Sequence, residues 1–248
     1  MKIMSFNILC YGSEGHYWED RAPHVATLIK KENPDSFGVQ EATPEWMRYL
    51  KENLDEYDFV GVGRDDGADE GEYSAVFYKK ELFNVCESNT FWLSETPDKV
   101  SKGWDGACRR VCTYALLESK SDGKKYAHIN THLDHIGPIA RSEGIKQIIE
   151  TAVKYNDYPT VVTGDFNLDE GCDLYKNIVS SGVLHDTKFC ADDTMNSITF
   201  NDFDRGHPGI IDYIFINDKF KALKYRVVTD KIDGKFVSDH YPVTAELE

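Results

Sequence analysis

Short apolar stretches recur along this chain, and most of them end at a residue able to bind a cation or move a proton. Stretches rich in Val, Ile, Phe, Tyr or Thr and bounded by turn residues read as strands at 1–9, 36–41, 73–79, 110–117, 125–132, 160–164, 210–216 and 241–246. Asn7 follows the apolar run 3–6 of the first, Gln40 and Glu41 close the second, and His132 closes the fifth. Asp165 and Asn167 stand in a Gly-Asp-Phe-Asn run, Asp212 in Ile-Asp-Tyr-Ile, and Asp239 with His240 just before the last strand. Helix patterns fall between them. Residues 22–31 place Ala22, Val25, Ala26, Leu28 and Ile29 on one face, and 44–54 opens with Pro44 at a first-turn position. Residues 139–155 carry Ile145, Ile148, Ile149, Ala152 and Val153 at helical spacing. Strands and helices mixed in this order imply an α/β sandwich, whose topology periodicity does not choose. No repeat, low-complexity tract or linker divides the 248 residues, so one domain, 1–248, is expected.

The bulk properties remove several classes of function. No run of about 18 apolar residues is present, which excludes a transmembrane helix. The first ten residues alternate like a strand instead of forming a signal peptide, so a cytoplasmic placement is expected, with a trimmed secreted chain as the alternative. The six cysteines form no CxxC pair, and Cys108 and Cys112 have no sequence neighbour to complete a tetrahedral site. Buried free thiols are the expectation. The net charge of −15 repels a polyanion and disfavours a duplex-binding nuclease. Small phosphorylated substrates are unaffected, because a bound cation can reverse the sign inside a cleft.

Taken singly, each polar residue has a plain structural explanation. An Asn at a strand end is usually a turn former, Asp165 and Asn167 can make an Asx-turn, and Ser238-Asp239 can cap one. A lone His132 is more often hydrogen-bonded than catalytic. Six such places, all at the ends of apolar strands, instead point to a ligand site of an open α/β sheet. The donor types then select the metal. Glu41, Asp165 and Asp239 offer hard carboxylate oxygens and Asn7 an amide oxygen, a set suited to Mg²⁺ or Mn²⁺, whereas zinc would want more His or Cys.

The runs Ser5-Phe6-Asn7-Ile8, Gln40-Glu41, Thr131-His132-Leu133-Asp134-His135, Gly164-Asp165-Phe166-Asn167, Ile211-Asp212-Tyr213-Ile214 and Ser238-Asp239-His240 resemble the endonuclease/exonuclease/phosphatase superfamily, in its order and over nearly the whole chain. The resemblance implies a DNase I-like four-layer α/β/β/α sandwich and a metal-dependent phosphoesterase. It places Glu41, Asn7 and Asp239 at the metal and gives Asp165 the attacking water. Asn167 would hold the scissile phosphate, and His240, oriented by Asp212, would stabilise charge on it. His132 would assist, with Glu72 as its carboxylate partner. Arg110 would contact phosphate, with Arg109 as the other choice, and Trp104, beside Asp105, would form a substrate wall. Arg141 would pair with Asp134. The expected reaction is hydrolysis of a small or single-stranded phosphodiester; a sugar or inositol phosphomonoester is the alternative, and a non-catalytic binding module the third.

Overall fold

In the computed structural model, which describes residues 1–12 and 15–248, the chain begins with β1 (Lys2–Asn7), α1 (Trp18–Glu32), β2 (Ser36–Gln40), α2 (Pro44–Asn53), β3 (Tyr57–Val60) and β4 (Val76–Lys79). It continues through β5 (Phe83–Trp92), β6 (Val111–Ser119), β7 (Lys125–His132), α3 (Pro138–Lys154) and β8 (Thr160–Asp165). Next come α4 (Asp173–Val179), β9 (His185–Asp186), α5 (Thr187–Cys190) and β10 (Asp193–Met195), and then β11 (Asp212–Ile216), β12 (Ala222–Val227) and β13 (Val243–Leu247).

Two sheets result. The first runs β10-β12-β13-β1-β2-β4-β3 and the second β5-β6-β7-β8-β11-β9. Alternation along each strand decides what lies between them and what lies outside. On β1, Met4 and Phe6 face outward and join Val25, Leu28, Ile29, Trp46 and Leu50 of α1 and α2 in one apolar cluster. On β7 and β8, Ile129 and Val162 face outward and join Ile145, Ile148 and Ala152 of α3 and Tyr175 and Ile178 of α4. A third cluster, with Ile3, Val161, Ile214, Tyr225 and Ala245, fills one end of the space between the sheets. This is the four-layer α/β/β/α arrangement. Trp46 is fully buried, and burial of such a ring contributes about 2–3 kcal/mol.

The helix at 44–54 starts as expected: Pro44 is in the first turn and Thr43 caps it by accepting from the Trp46 N–H. The strand expected from residue 73 begins only at Val76, Tyr73 making an isolated bridge to Ala42. All six cysteines are unpaired, but only Cys112 is fully enclosed; Cys86 and Cys190 are exposed. Burial of free thiols as a class is therefore not what the fold provides. Among the described residues, no helix is long and apolar enough to cross a membrane.

Candidate active site

Strand register assembles the site. β7 pairs parallel with β8 so that His132 lies beside Asp165, and β8 pairs antiparallel with β11 so that Asp165 lies beside Asp212. From the first sheet, β1 pairs with β2 so that Asn7 lies beside Gln40, with Glu41 next along the chain. Asp239 and His240 arrive just before β13. Glu41, Arg64, Glu72, Cys108, Arg110, His132, His135, Asp165, Asn167, Asp239 and His240, with Phe200 and Ile211, line one cavity of about 350 Å³. Glu41 and Asn167 hold left-handed backbones there, at φ 62° and 48°, as does Leu9, two residues after Asn7, at φ 56°. Such conformations cost on the order of 1 kcal/mol each in non-glycine residues and collect where function requires them.

The first-sheet and second-sheet groups meet at Asn7, whose amide nitrogen donates to Glu41 Oε1 at 3.0 Å and to Asp165 Oδ2 at 2.9 Å. Glu41 Oε2 accepts the Cys10 N–H, and Asp165 Oδ1 accepts the Asn167 N–H. Ligating atoms of Glu41, His132 and Asp165 lie within 4.8 Å of one another, as do those of Asp165, Asp212 and His240. His240 Nδ1 is 2.9 Å from Asp212 Oδ2, and its Nε2 is 3.8 Å from Asp165 Oδ2. Phe200 packs on the His240 ring at 4.9 Å between centroids.

Charge is distributed unequally. Burial opposes a charged His240, yet Asp212, Asp165 and Asp239 outweigh it and raise the ring to about 10. His132 goes the other way: burial, then Arg110 and Arg64, hold it well below the usual histidine range. It is therefore neutral and offers hydrogen bonds without positive charge. Burial, with Asp212 behind it, raises Asp165 to about 7. Burial and the Glu41 charge raise Asp239. Glu41 ends below its ordinary value, because the N–H groups of Asn7 and Cys10 outweigh burial.

Several expected roles change. The Asn7 amide oxygen accepts the Leu9 N–H and its nitrogen donates to both carboxylates, so Asn7 also ties Glu41 to Asp165. Glu72 does not partner His132; it takes a bidentate pair from Arg64 at 2.6 and 2.9 Å, with Arg110 Nη1 at 4.0 Å. Arg64 lies in a polar loop with nothing in its local sequence to mark it. Of the two neighbouring arginines, Arg110 is the one in the cavity; Arg109 is exposed and pairs with Asp65. Trp104 does not line the cavity, because its loop is held elsewhere: the Trp104 N–H donates to Glu95, and the Asp105 carboxylate accepts from Ile139 and Ala140 at the start of α3. Arg141 donates to the Asp134 carbonyl, while the Asp134 carboxylate accepts four backbone N–H groups, from Ala107, Cys108, Ile136 and Gly137.

Comparison with known proteins agrees with this geometry. The endonuclease/exonuclease/phosphatase family model matches residues 4–240. The structure of a mannosyl-6-phosphatase from Bacteroides thetaiotaomicron VPI-5482 superposes with a TM-score of 0.95 at 36% identity, covering 100% of this chain and 99% of that one. An uncharacterised protein of Acanthamoeba polyphaga mimivirus is 26% identical over 281 residues and the full length of both chains. The human Nocturnin catalytic domain shares the fold, with a TM-score of 0.80 at 19% identity over 100% of this chain and 94% of that one. The chain belongs to the endonuclease/exonuclease/phosphatase family and is a phosphoester hydrolase.

Proposed function

We propose that the chain hydrolyses a small phosphomonoester, of the sugar-phosphate class, with Mg²⁺ or Mn²⁺. The observation that carries the choice of monoester is the whole-length likeness to a mannosyl-6-phosphatase. The cavity is in keeping with it: about 350 Å³ suits a phosphate and one sugar ring. Two guanidiniums, Arg64 and Arg110, line its wall, and the Nε of each is buried without a hydrogen-bond partner among the described residues. The net charge of −15 disfavours a long polyanion. The diester reading favoured by sequence is the other outcome of the test below.

The residues fit a hard divalent cation. Carboxylate oxygens of Glu41 and Asp239 line the cavity, and the thiol next to Glu41, Cys10, is pushed up to about 12 by burial and stays protonated, a poor zinc ligand. Bound at Glu41 and Asp239, the cation would neutralise phosphoryl oxygens. Asp165, raised to about 7, takes the proton of the attacking water as its oxygen bonds to phosphorus. His240, kept positive by Asp212, donates to the phosphate and to the departing alcohol oxygen as the ester bond breaks. Arg110 and Arg64 hold the outer phosphoryl oxygens, His132 gives a neutral hydrogen bond, and Asn167 shapes the floor beside it.

Phosphate release from hexose 6-phosphates and turnover of bis-(p-nitrophenyl) phosphate, each with Mg²⁺, Mn²⁺ or EDTA, tests this reading. Metal-dependent release from the monoester with little diester turnover is expected. Diester turnover alone would replace it with the phosphodiesterase reading.

A further inference from the structure

The strands that carry the site also carry, two residues earlier, polar side chains that the chemistry leaves unused. Ser5 precedes Asn7 on β1, Asn130 precedes His132 on β7 with His128 two before it, and Thr163 precedes Asp165 on β8. Residues two apart share a face, so this set lies between the sheets directly beneath the site. Ser5, Ser36, Gln40, His128, Asn130 and Thr163 are all fully buried.

They form one directed chain of hydrogen bonds. Tyr126 OH donates to Ser36 Oγ at 2.9 Å, and Ser36 lies 2.8 Å from His128 Nδ1. His128 Nε2 lies 2.9 Å from Thr163 Oγ1, which donates to Asn130 Oδ1 at 3.0 Å. Gln40 Nε2 donates to the same Oδ1 at 2.7 Å and to Ser5 Oγ at 3.2 Å. Asn130 Nδ2 donates back across the gap to the carbonyls of Val39 and Ala75, at 2.9 and 3.0 Å. Burial keeps His128 neutral, lowering it to about 3, so one ring nitrogen donates and the other accepts, as the chain requires.

This chain joins the two halves of the site. Asn7, Glu41 and Asp239 hang from the first sheet; His132, Asp165, Asn167 and Asp212 hang from the second. Ser5, Ser36, Val39 and Gln40 belong to the first sheet and His128, Asn130 and Thr163 to the second. Apolar packing tolerates small slides between sheets, whereas directional hydrogen bonds that link hydroxyls, imidazole and amides across the gap specify one register. A misplacement of about 1 Å can cost about 10²-fold in rate.

We propose that Asn130 and Thr163 are positioning residues, fixing the sheets so that the cation-binding carboxylates of one meet the water- and phosphate-binding groups of the other. The inference rests on the proposed reading of the site. Thr163→Val removes the linking hydroxyl at nearly constant shape, and Thr163→Ser keeps it. Five quantities are measured for each: thermal midpoint, Mn²⁺ affinity by calorimetry, inorganic phosphate affinity with Mn²⁺ present, and kcat and KM on p-nitrophenyl phosphate. Thr163→Val is expected to stay folded with Mn²⁺ affinity within about twofold, since the cation's carboxylates share one sheet. Its kcat and phosphate affinity should fall about tenfold or more, and Thr163→Ser should restore both. A folded Thr163→Val protein with wild-type kcat and phosphate affinity overturns the proposal and leaves the layer a stability element only. Loss of Mn²⁺ affinity in step with kcat overturns it too. If the wild type cleaves diesters and no monoester, the functional reading fails while the phosphate affinities still decide this one. Should Thr163→Val not fold, Ser36→Ala, at the other end of the chain, receives the same measurements with the same expectation.

Discussion

The layer around Asn130 and the cluster around Asp165 are built on the same strands and lie one pleat apart, the layer fully buried and the cluster open to a cavity, and their polar atoms are treated differently. In the layer, the hydroxyls, the imidazole and the Asn130 amide have partners, and Gln40 Oε1 is buried without one among the described residues. In and around the cluster, His132 Nδ1, Arg64 Nε, Arg110 Nε and Asp212 Oδ1 are buried with none among the described residues. An unpaired buried polar atom costs about 1–3 kcal/mol. The layer spends its polarity on holding the sheets together; the cluster leaves donors open for an anion and holds left-handed backbones at Glu41 and Asn167 to do so.

The sharpest way to break this contrast is Asp165→Asn. It removes the proton acceptor while preserving shape, so kcat should fall by about 10²–10⁴-fold. The thermal midpoint should hold or rise, because a carboxylate whose charge burial opposes has been replaced by a neutral amide. A fall in midpoint with activity retained would reverse the assignment of the two regions.

The complementary change is Gly38→Ala, in the layer. A Cβ there would stand 2.2 Å from Asn130 Oδ1 and 2.4 Å from Thr163 Oγ1, so the sheets must part or the hydrogen bonds break. A loss of about 3 kcal/mol of unfolding free energy is expected in denaturant titration.

His128 then separates the regions by pH. Its folded value of about 3 lies below the ordinary 6.5, so below pH 6.5 the unfolded chain takes a proton that the folded chain refuses. This contribution to stability is intact above 6.5 and is lost as pH falls toward 3, at up to about 1.4 kcal/mol per unit. His128→Gln lacks it, so the wild type's advantage over the variant should shrink by about 2 kcal/mol between pH 7 and pH 5. A pH-independent gap would mean that the ring is protonated in the fold. The smallest effect belongs to Arg109→Ala: on an exposed Arg109, it should leave KM within about twofold, whereas Arg110→Ala should raise KM at least about tenfold.

Much of the site was readable because period-two strands place their terminal residues at one end of a sheet. Asn7, Glu41, His132, Asp165, Asn167, Asp212, Asp239 and His240 converge, as the family resemblance implied. What strand ends cannot reveal is which loop folds back over them. Glu72 is expected beside His132 because it opens the stretch from residue 73, but Arg64, eight residues earlier, takes it in a bidentate pair that only the loop's closure shows. Trp104 was read as a wall because an aromatic in a glycine-flanked loop suits one; the Asp105 cap on α3 holds that loop away. In the fold, β5 escaped notice because its middle, Glu87 to Asn89, is polar and exposed: it is an edge strand paired only with β6 and bulged after Val85. The inter-sheet layer was invisible for the opposite reason. His128 and Asn130 alternate with Ala127 and Ile129 as solvent-facing residues would, and only the second sheet turns that face into an interior.

The central claim is that the open donors of the cluster await a phosphate. A crystal structure of the protein with Mn²⁺ and inorganic phosphate tests it most directly. The account predicts the cation on Glu41 and Asp239, with phosphate oxygens within hydrogen-bond distance of His240 and of at least one of Arg64 Nε, Arg110 Nε and His132 Nδ1. Phosphate bound outside this cavity, or inside it with all three of those atoms still unpaired, would contradict it.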